Sequence, residues 1–381
     1  MSILLTLTIL LFIPYALLMA ILQWGWHRNH LSAVETNPHP SPPRTKLTVV
    51  VAFRNEASQI APLLACLTRQ NYPHDRMEVF LVNDHSEDMS ATAASQWASS
   101  QPFVARVLHN GAGEKGKKAA LTRGIRAASG ELIVTTDADC TMSAGWLTSV
   151  ARFYELNPAE LIASPVLFEF HERRFFEKFQ ALELLTLLGT TAGSIGAGHP
   201  LFCNAANMAF RRSTFLRLKD PFWAHTPSGD DTMLLQQIKA VASHTIAFNP
   251  HRESVVTTAP AKNIRAFWNQ RKRWVSKSRY YKDRDILGAG LIVFLSNLWL
   301  VVLFAGAVLN PGLLLLLMSA FAFKALVDLL LLRPLVRYFR KQNLWRIYLP
   351  AQLVYPIYST LTGIFGRSSG FSWKNRNYHV N

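Results

Sequence analysis

Leu132-Ile133-Val134-Thr135-Thr136-Asp137-Ala138-Asp139 runs an apolar strand pattern straight into two acids. The same grammar occurs upstream, where Val79-Phe80-Leu81-Val82 ends in Asn83-Asp84. An acid placed there stands at the carboxyl end of a buried strand, which is where open α/β sheets bind ligands. Asp137 and Asp139 would repel each other unless a cation sits between them. Two carboxylates suffice for Mg²⁺ or Mn²⁺ when a diphosphate supplies further oxygens. Two later stretches complete an ordered set: Gly229-Asp230-Asp231 and Gln270-Arg271-Lys272-Arg273-Trp274. The Asp pair suits a general base, and the cationic box suits a phosphate leaving group.

Outward from these strands, β-rich runs alternate with helical patterns. Leu47 to Ala52, Val79 to Val82, Val104 to Leu108 and Leu132 to Thr135 read as strands. Ile60 to Arg69 and Lys118 to Ala128 read as helices between them. Such alternation predicts a mixed, mostly parallel sheet covered on both faces over residues 48–260. No internal repeat or long low-complexity segment interrupts it.

Composition points to a membrane. Half of the 381 residues are hydrophobic, yet 40 Lys and Arg stand against 24 Asp and Glu. The cations cluster beside apolar segments, which argues against a nucleic-acid partner and for a basic cytoplasmic face. Cys66, Cys140 and Cys203 are odd in number and lack metal-ligand spacing, so they read as small buried residues in a reducing compartment.

Ile3 to Trp24 carries no charge and is long enough to span a bilayer, which takes about 20 residues. A signal peptide would want a basic start, which Met1-Ser2 lacks. Arg28, Arg44 and Lys46 follow the segment, so the positive-inside rule puts the next domain in the cytoplasm. We therefore divide the chain into a transmembrane helix (1–26), a linker (27–47) stiffened by Pro38 to Pro43, and the α/β domain (48–260). An amphipathic juxtamembrane helix (261–285), about three transmembrane or re-entrant helices (286–366) and a basic tail (367–381) complete it. Asn310-Pro311 makes an uncharged turn expected outside, and Arg333, Arg337, Arg340, Lys341 and Arg346 mark a loop expected inside. The third apolar segment, Leu344 to Phe365, contains Pro350, Gln352 and Pro356 and either crosses or is re-entrant.

Gly111-Ala112-Gly113-Glu114-Lys115-Gly116-Lys117 is a basic loop that runs into a helix, a place suited to phosphate. It lacks the P-loop spacing, which removes an ATPase reading. Its position between Asp84 and Asp137 favours donor binding through Lys117. Plainer roles exist for neighbouring residues. Glu56 would suit a helix start, Asp84 a cap or turn, and Asp230-Asp231 an ordinary helix cap. Gln270, Arg273 and Trp274 fall at i, i+3 and i+4, hence on one helix face that serves as anchor and site. Phe170 to Leu188 forms an apolar stripe, read as core packing or as an interfacial helix at the acceptor entrance. Neither His171 nor His199 beside it is given a function.

The ordered set resembles the inverting family-2 glycosyltransferases of GT-A fold from about Thr48 to Ser278. The match includes Val49-Val50-Val51-Ala52-Phe53-Arg54-Asn55-Glu56 and Gly116-Lys117-Lys118-Ala119-Ala120-Leu121. Membrane-bound members such as ceramide glucosyltransferases and the hyaluronan, chitin-oligosaccharide and cellulose synthases share the Gln-x-x-Arg-Trp box. The tail Phe371 to Tyr378 is similar to the end of ceramide glucosyltransferases. The resemblance implies that the Ala52 to Glu56 backbone and Asp84 hold uridine, with Asp231 as base. Many relatives have Glu where this chain has Asp230, which leaves the role of Asp230 open. The expected protein is a bacterial inner-membrane enzyme that moves a sugar from a nucleotide sugar, a UDP-sugar, to a lipid. The alternatives are a processive polysaccharide or oligosaccharide synthase and a non-enzymatic scaffold. Oligomeric state is not readable.

Overall fold

A computed structural model describes residues 2–34, 42–171, 174–223, 226, 229–366, 371–373 and 376–378. Helix α1 (Ser2–Val34) comes first. The α/β run follows with β1 (Leu47–Phe53), α2 (Ile60–Thr68), β2 (Met77–Asn83), α3 (Ser90–Ser99), β3 (Val104–His109), α4 (Lys117–Ala127) and β4 (Leu132–Asp137). Next stand β5 (Thr141–Met142), α5 (Trp146–Leu156), β6 (Leu161–Ala163), β7 (Val166–Phe168) and α6 (Phe175–Gly196). Then β8 (Met208–Arg211), α7 (Arg212–Arg217), α8 (Asp230–Ala242), β9 (Ile246–Phe248) and β10 (Val256–Thr258) close the sheet region. Helices α9 (Ile264–Ser276), α10 (Arg284–Leu309), α11 (Leu314–Tyr338) and α12 (Trp345–Phe365) precede a short hairpin of β11 (Phe371–Trp373) and β12 (Arg376–Tyr378).

These elements divide into two units. One comprises Arg28–Glu169 and Phe202–Ala259; the other comprises Met1–His27, Phe170–Leu201 and Pro260–Asn381. Residues 170–201, read above as part of the α/β domain, thus belong to the helical unit. Their helix α6 is buried nearly all round, which suits a position among other helices. Residues 27–34, read as linker, continue α1, because no Gly or Pro occurs between His27 and Pro38. Pro38 to Ser41 of that linker, and tail residues such as Arg367 and Lys374, lie outside the described residues.

The α/β unit has the GT-A fold, with seven strands in the order β3-β2-β1-β4-β8-β6-β9. Strands β3, β2, β1 and β4 are parallel, and β8 runs antiparallel between β4 and β6. The central strands carry apolar runs, as buried parallel strands do: Val49, Val50, Val51, Leu81, Val134 and Ile133 are all buried. Chain order moves outward from β1 to β3 and then returns to β4 on the other side. The switch point, and with it the expected ligand crevice, falls between the carboxyl ends of β1 and β4. A second sheet, β5-β10-β7, lies in the same unit.

In the helical unit, three helices among the described residues are long and apolar enough to cross a membrane: Ser2–His30, Arg284–Leu309 and Pro311–Tyr338. Helix α12, with Pro350 and Pro356 inside it, is not among them. Phe12 packs with Leu300, Leu303 and Ala320, which joins α1 to α10 and α11. One polar cluster is embedded in this apolar packing. Lys324 Nζ donates to Asp328 Oδ2 at 2.8 Å and Gln352 Nε2 donates to the same oxygen at 2.7 Å. Tyr15 donates its hydroxyl to Asp328 Oδ1. Every charge there is partnered, as apolar surroundings require.

Candidate active site

The register of the sheet sets the site. Ala52 lies opposite Val82 on β2 and Asp137 on β4, so the carboxyl ends of three strands stand side by side. Beyond them the loops are pinned together. Asp84 N donates to Phe53 O at 2.9 Å. Arg54 Nη1 donates to Asp84 O at 2.9 Å and His85 O at 2.5 Å, and Nη2 meets Glu87 at 2.8 Å. Glu56 N donates to Ser90 Oγ at 2.7 Å, and its carboxylate is buried. Asn55 and His85 both hold positive φ, at 51° and 56°, an arrangement that concentrates where loops are shaped for function.

Asp84 is buried at 2 % exposure, and its Oδ1 accepts from Asn110 Nδ2 at 3.0 Å and Gly116 N at 2.9 Å. Gly116 takes φ 94°, a conformation that a side chain would oppose, and it turns the basic loop into α4. This turn delivers Lys117. Lys117 Nζ lies 2.6 Å from Asp137 Oδ1 and 3.5 Å from Asp230 Oδ2. Burial works against its charge, but Asp137 first, then Asp230 and Asp231, outweigh burial and hold its pKa above the ordinary lysine value. The loop expected to carry donor-binding lysine therefore meets both acidic motifs.

Asp230 and Asp231 open α8 after Gly229, whose φ of 92° permits the tight entry. Asp230 is buried, whereas Asp231 is half-buried, with Oδ1 accepting from Thr232 N at 2.6 Å. Cys203 Sγ lies 3.5 Å from Asp231 O. Asp139 is exposed, two residues beyond the end of β4. Burial, with Asp137 and Asp139 nearby, pushes the Cys140 thiol up, which leaves it a packing residue.

Ala52, Glu56, Asp84, Lys117, Asp137, Asp139, Asp230 and Asp231 are thus all placed in one unit, around the ends of β1, β2 and β4 and the start of α8. Among the described residues no three His, Cys, Asp or Glu side chains form a cluster able to hold a metal. Asp137 and Asp139 fit a divalent cation only if substrate oxygens complete its shell, as Mg²⁺ tolerates. Among the described residues, buried Asn110 Oδ1 accepts no hydrogen bond, and buried Asp230 Oδ2 has its ion-pair partner Lys117 Nζ at 3.5 Å rather than a hydrogen bond. An orphaned acceptor of this kind suits a ligand with N–H or O–H donors.

Gln270, Arg273 and Trp274 lie on α9, in the helical unit. The buried residue of their box is Arg271, at 1 % exposure. Its Nε donates to Glu183 Oε2 at 3.1 Å, and its Nη2 also meets that oxygen. Its Nη1 donates to Gln270 Oε1. The Phe267 and Trp274 ring centres lie 4.1 and 4.3 Å from its guanidinium carbon. The sequence reading passed over Arg271, Glu183, Arg54 and Asn110. Glu183 was detectable as an acid inside an apolar helical stripe, which demands a buried partner.

Residues 48–218 match the family Glycosyl transferase family 2. The chain is 24% identical over 257 residues to a probable glycosyltransferase, YdaM, of Bacillus subtilis, covering 62% of this chain and 56% of that one. It is 29% identical over 113 residues to the beta-monoglucosyldiacylglycerol synthase of a Synechocystis species, covering 29% of this chain and 23% of that protein. The chain therefore spans about half of the first relative and a quarter of the second. Among solved structures it is similar to the mannosyltransferase PcManGT from Pyrobaculum calidifontis in complex with GDP-Man and Mn²⁺. That match has a TM-score of 0.57 and 20% identity, over 96% of this chain and 98% of that one. Residues 48–218 are thus similar to family-2 glycosyltransferases, within a unit that has the GT-A fold.

Proposed function

We propose that this protein is an inverting glycosyltransferase that moves one sugar from a nucleotide sugar, a UDP-sugar, to the hydroxyl of a membrane lipid. The observation that carries the reading is the single linked set Asp84–Gly116–Lys117–Asp137–Asp230 at the switch point of the sheet. Asp84, with the Ala52 to Glu56 backbone and Asn110, binds the nucleoside. Asp137 and Asp139 would hold Mg²⁺ or Mn²⁺, which neutralises charge at the diphosphate when bound. Lys117 adds a fixed positive charge beside the same acids. Asp231 takes the proton of the acceptor hydroxyl as its oxygen bonds to the anomeric carbon. The bond from that carbon to the phosphate oxygen breaks, and the nucleoside diphosphate leaves with the electron pair. Gln270, Arg273 and Trp274 serve the acceptor and pyrophosphate side.

A lipid acceptor is supported by the three apolar helices and by similarity to a glucosyldiacylglycerol synthase. A chain-anchored lipid would present its hydroxyl with less entropy lost than a free acceptor. The placement of cations supports a cytoplasmic α/β unit at a bacterial inner membrane. The test is radiolabelled UDP-sugar supplied to purified protein with membrane lipids, followed by size separation and organic extraction. A discrete organic-soluble band supports the reading. A water-soluble ladder or high-mass label would transfer it to the synthase class, and no nucleotide release from any sugar donor would leave a scaffold.

A further inference from the structure

Arg271 is turned into the helical unit rather than toward solvent. Glu183, Gln270, Phe267 and Trp274 occupy its edge and faces, and it is 1 % exposed. Glu183 is engaged in the same place: Tyr358 donates its hydroxyl to Oε1 at 2.7 Å, and Arg271 Nε reaches Oε2 at 3.1 Å and Oε1 at 3.4 Å. Three helices, α6, α9 and α12, therefore meet at one buried ion pair. A well-packed apolar pair would stabilise such a junction at least as well, so the ion pair is better explained by what it orients. What it orients are two members of the box. The Gln270 amide oxygen is turned onto Arg271, and the Trp274 ring lies over the guanidinium. Phe267, Arg271 and Trp274 recur at i, i+4 and i+7, so the pair also fixes which face of α9 turns inward.

We propose that Glu183 is a positioning residue for sugar transfer: through Arg271, with Tyr358 fixing its own carboxylate, it holds Gln270 and Trp274 in one orientation on α9. This rests on the transferase reading above, in which Gln270 and Trp274 serve the acceptor side. Glu183 itself touches no substrate. Its removal leaves Arg271 charged and buried, so the guanidinium must move and the Gln270 amide and Trp274 ring move with it.

The experiment uses the full chain in lipid nanodiscs. Glu183→Gln should lower acceptor kcat/KM by about 100-fold, the scale of a small misplacement, with donor affinity unchanged. In a Trp274→Ala background the same substitution should cost little more, because its effect passes through that ring. Glu183→Asp should recover part of the loss. Should Glu183→Gln fail to fold, Tyr358→Phe carries the same comparison, with a loss of about fivefold for one hydrogen bond. Equal losses in both backgrounds, or no loss, would overturn the proposal. A second readout is independent of activity: ¹⁹F spectra of 5-fluorotryptophan protein, with the Trp274 signal assigned through Trp274→Phe. Glu183→Gln should shift that signal and leave buried Trp146 unmoved. An unmoved Trp274 signal would sink the positioning role even where transfer is slow. A wild-type protein without transfer, but with the shift, would instead refute the transferase reading alone.

Discussion

Lys117 Nζ sits 2.6 Å from Asp137 Oδ1, so the first residue of α4 is ion-paired to the last residue of β4. The pair joins the loop after β3 to the acid that ends the next strand. It also sets a positive charge against one carboxylate of the Asp137-Ala138-Asp139 motif, the pair proposed above to hold a cation.

Nucleotide release is accordingly expected to need Mg²⁺ or Mn²⁺ and to stop on chelation. Asp139→Ala should abolish metal-dependent release with little change in thermal unfolding, since Asp139 is exposed. Chelator-insensitive release would show that these two carboxylates have another task.

Asp231→Asn should fold, bind donor and transfer about 100- to 10,000-fold more slowly, the range lost with a general base. Single-turnover transfer at saturating donor measures it. Near-normal transfer by a folded protein would remove Asp231 from the chemistry.

Glu78 gives the α/β unit a defined acid sensitivity. Burial raises its pKa, but hydrogen bonds from Ser129 and Thr48 and the charge of Lys46 outweigh burial and bring it from 4.5 down to about 2. A carboxylate depressed in the fold contributes its stability above the unfolded pKa and loses it as pH falls through the folded value. Stability should therefore decline between about pH 4.5 and 2. Glu78→Gln should flatten that decline and cost on the order of 3 kcal/mol at neutral pH. Urea unfolding as a function of pH checks both, and an unchanged acid limb would refute the assignment.

Asp328→Asn should destabilise the helical unit strongly, by about 3–5 kcal/mol, because Lys324 would stay buried without its partner. The double variant Lys324→Met with Asp328→Leu should regain most of the loss. Thermal unfolding in one detergent compares them, and an additive loss in the double variant would argue against a coupled pair.

Reporters should place the loop of Arg333 to Arg346 in the cytoplasm and Asn310 outside. Reversal of either would turn the α/β unit away from cytoplasmic nucleotide sugars.

Much of the α/β unit was legible because its signals are local. A strand buried on both faces is an unbroken apolar run, and an acid just past it marks the carboxyl edge, so β1, β2 and β4 could be read with Asp84 and Asp137. The position of Lys117 at the start of α4 was readable from its glycine-rich approach. Arg54 and Asn110 were not, because an Arg that bonds two carbonyls and an Asn that bonds an acid look like any polar loop residues. Tail residues 371–378 remain a short resemblance, of which only the backbone hairpin is described.

By itself the sequence determined the alternation of strands and helices, three of the four apolar segments read as spans and the order of the acidic motifs, since periodicity and charge are properties of neighbours along the chain. The tertiary structure alone decided that α6 leaves the α/β unit and that Asp230 shares Lys117 with Asp137. It also decided that the buried cation of the Gln270 to Trp274 box is Arg271 rather than Arg273. The sequence placed Arg273 on the box face by its spacing, but burial depends on which partner lies across from the helix. That partner is Glu183, 88 residues away, and no local pattern encodes a pairing across that distance.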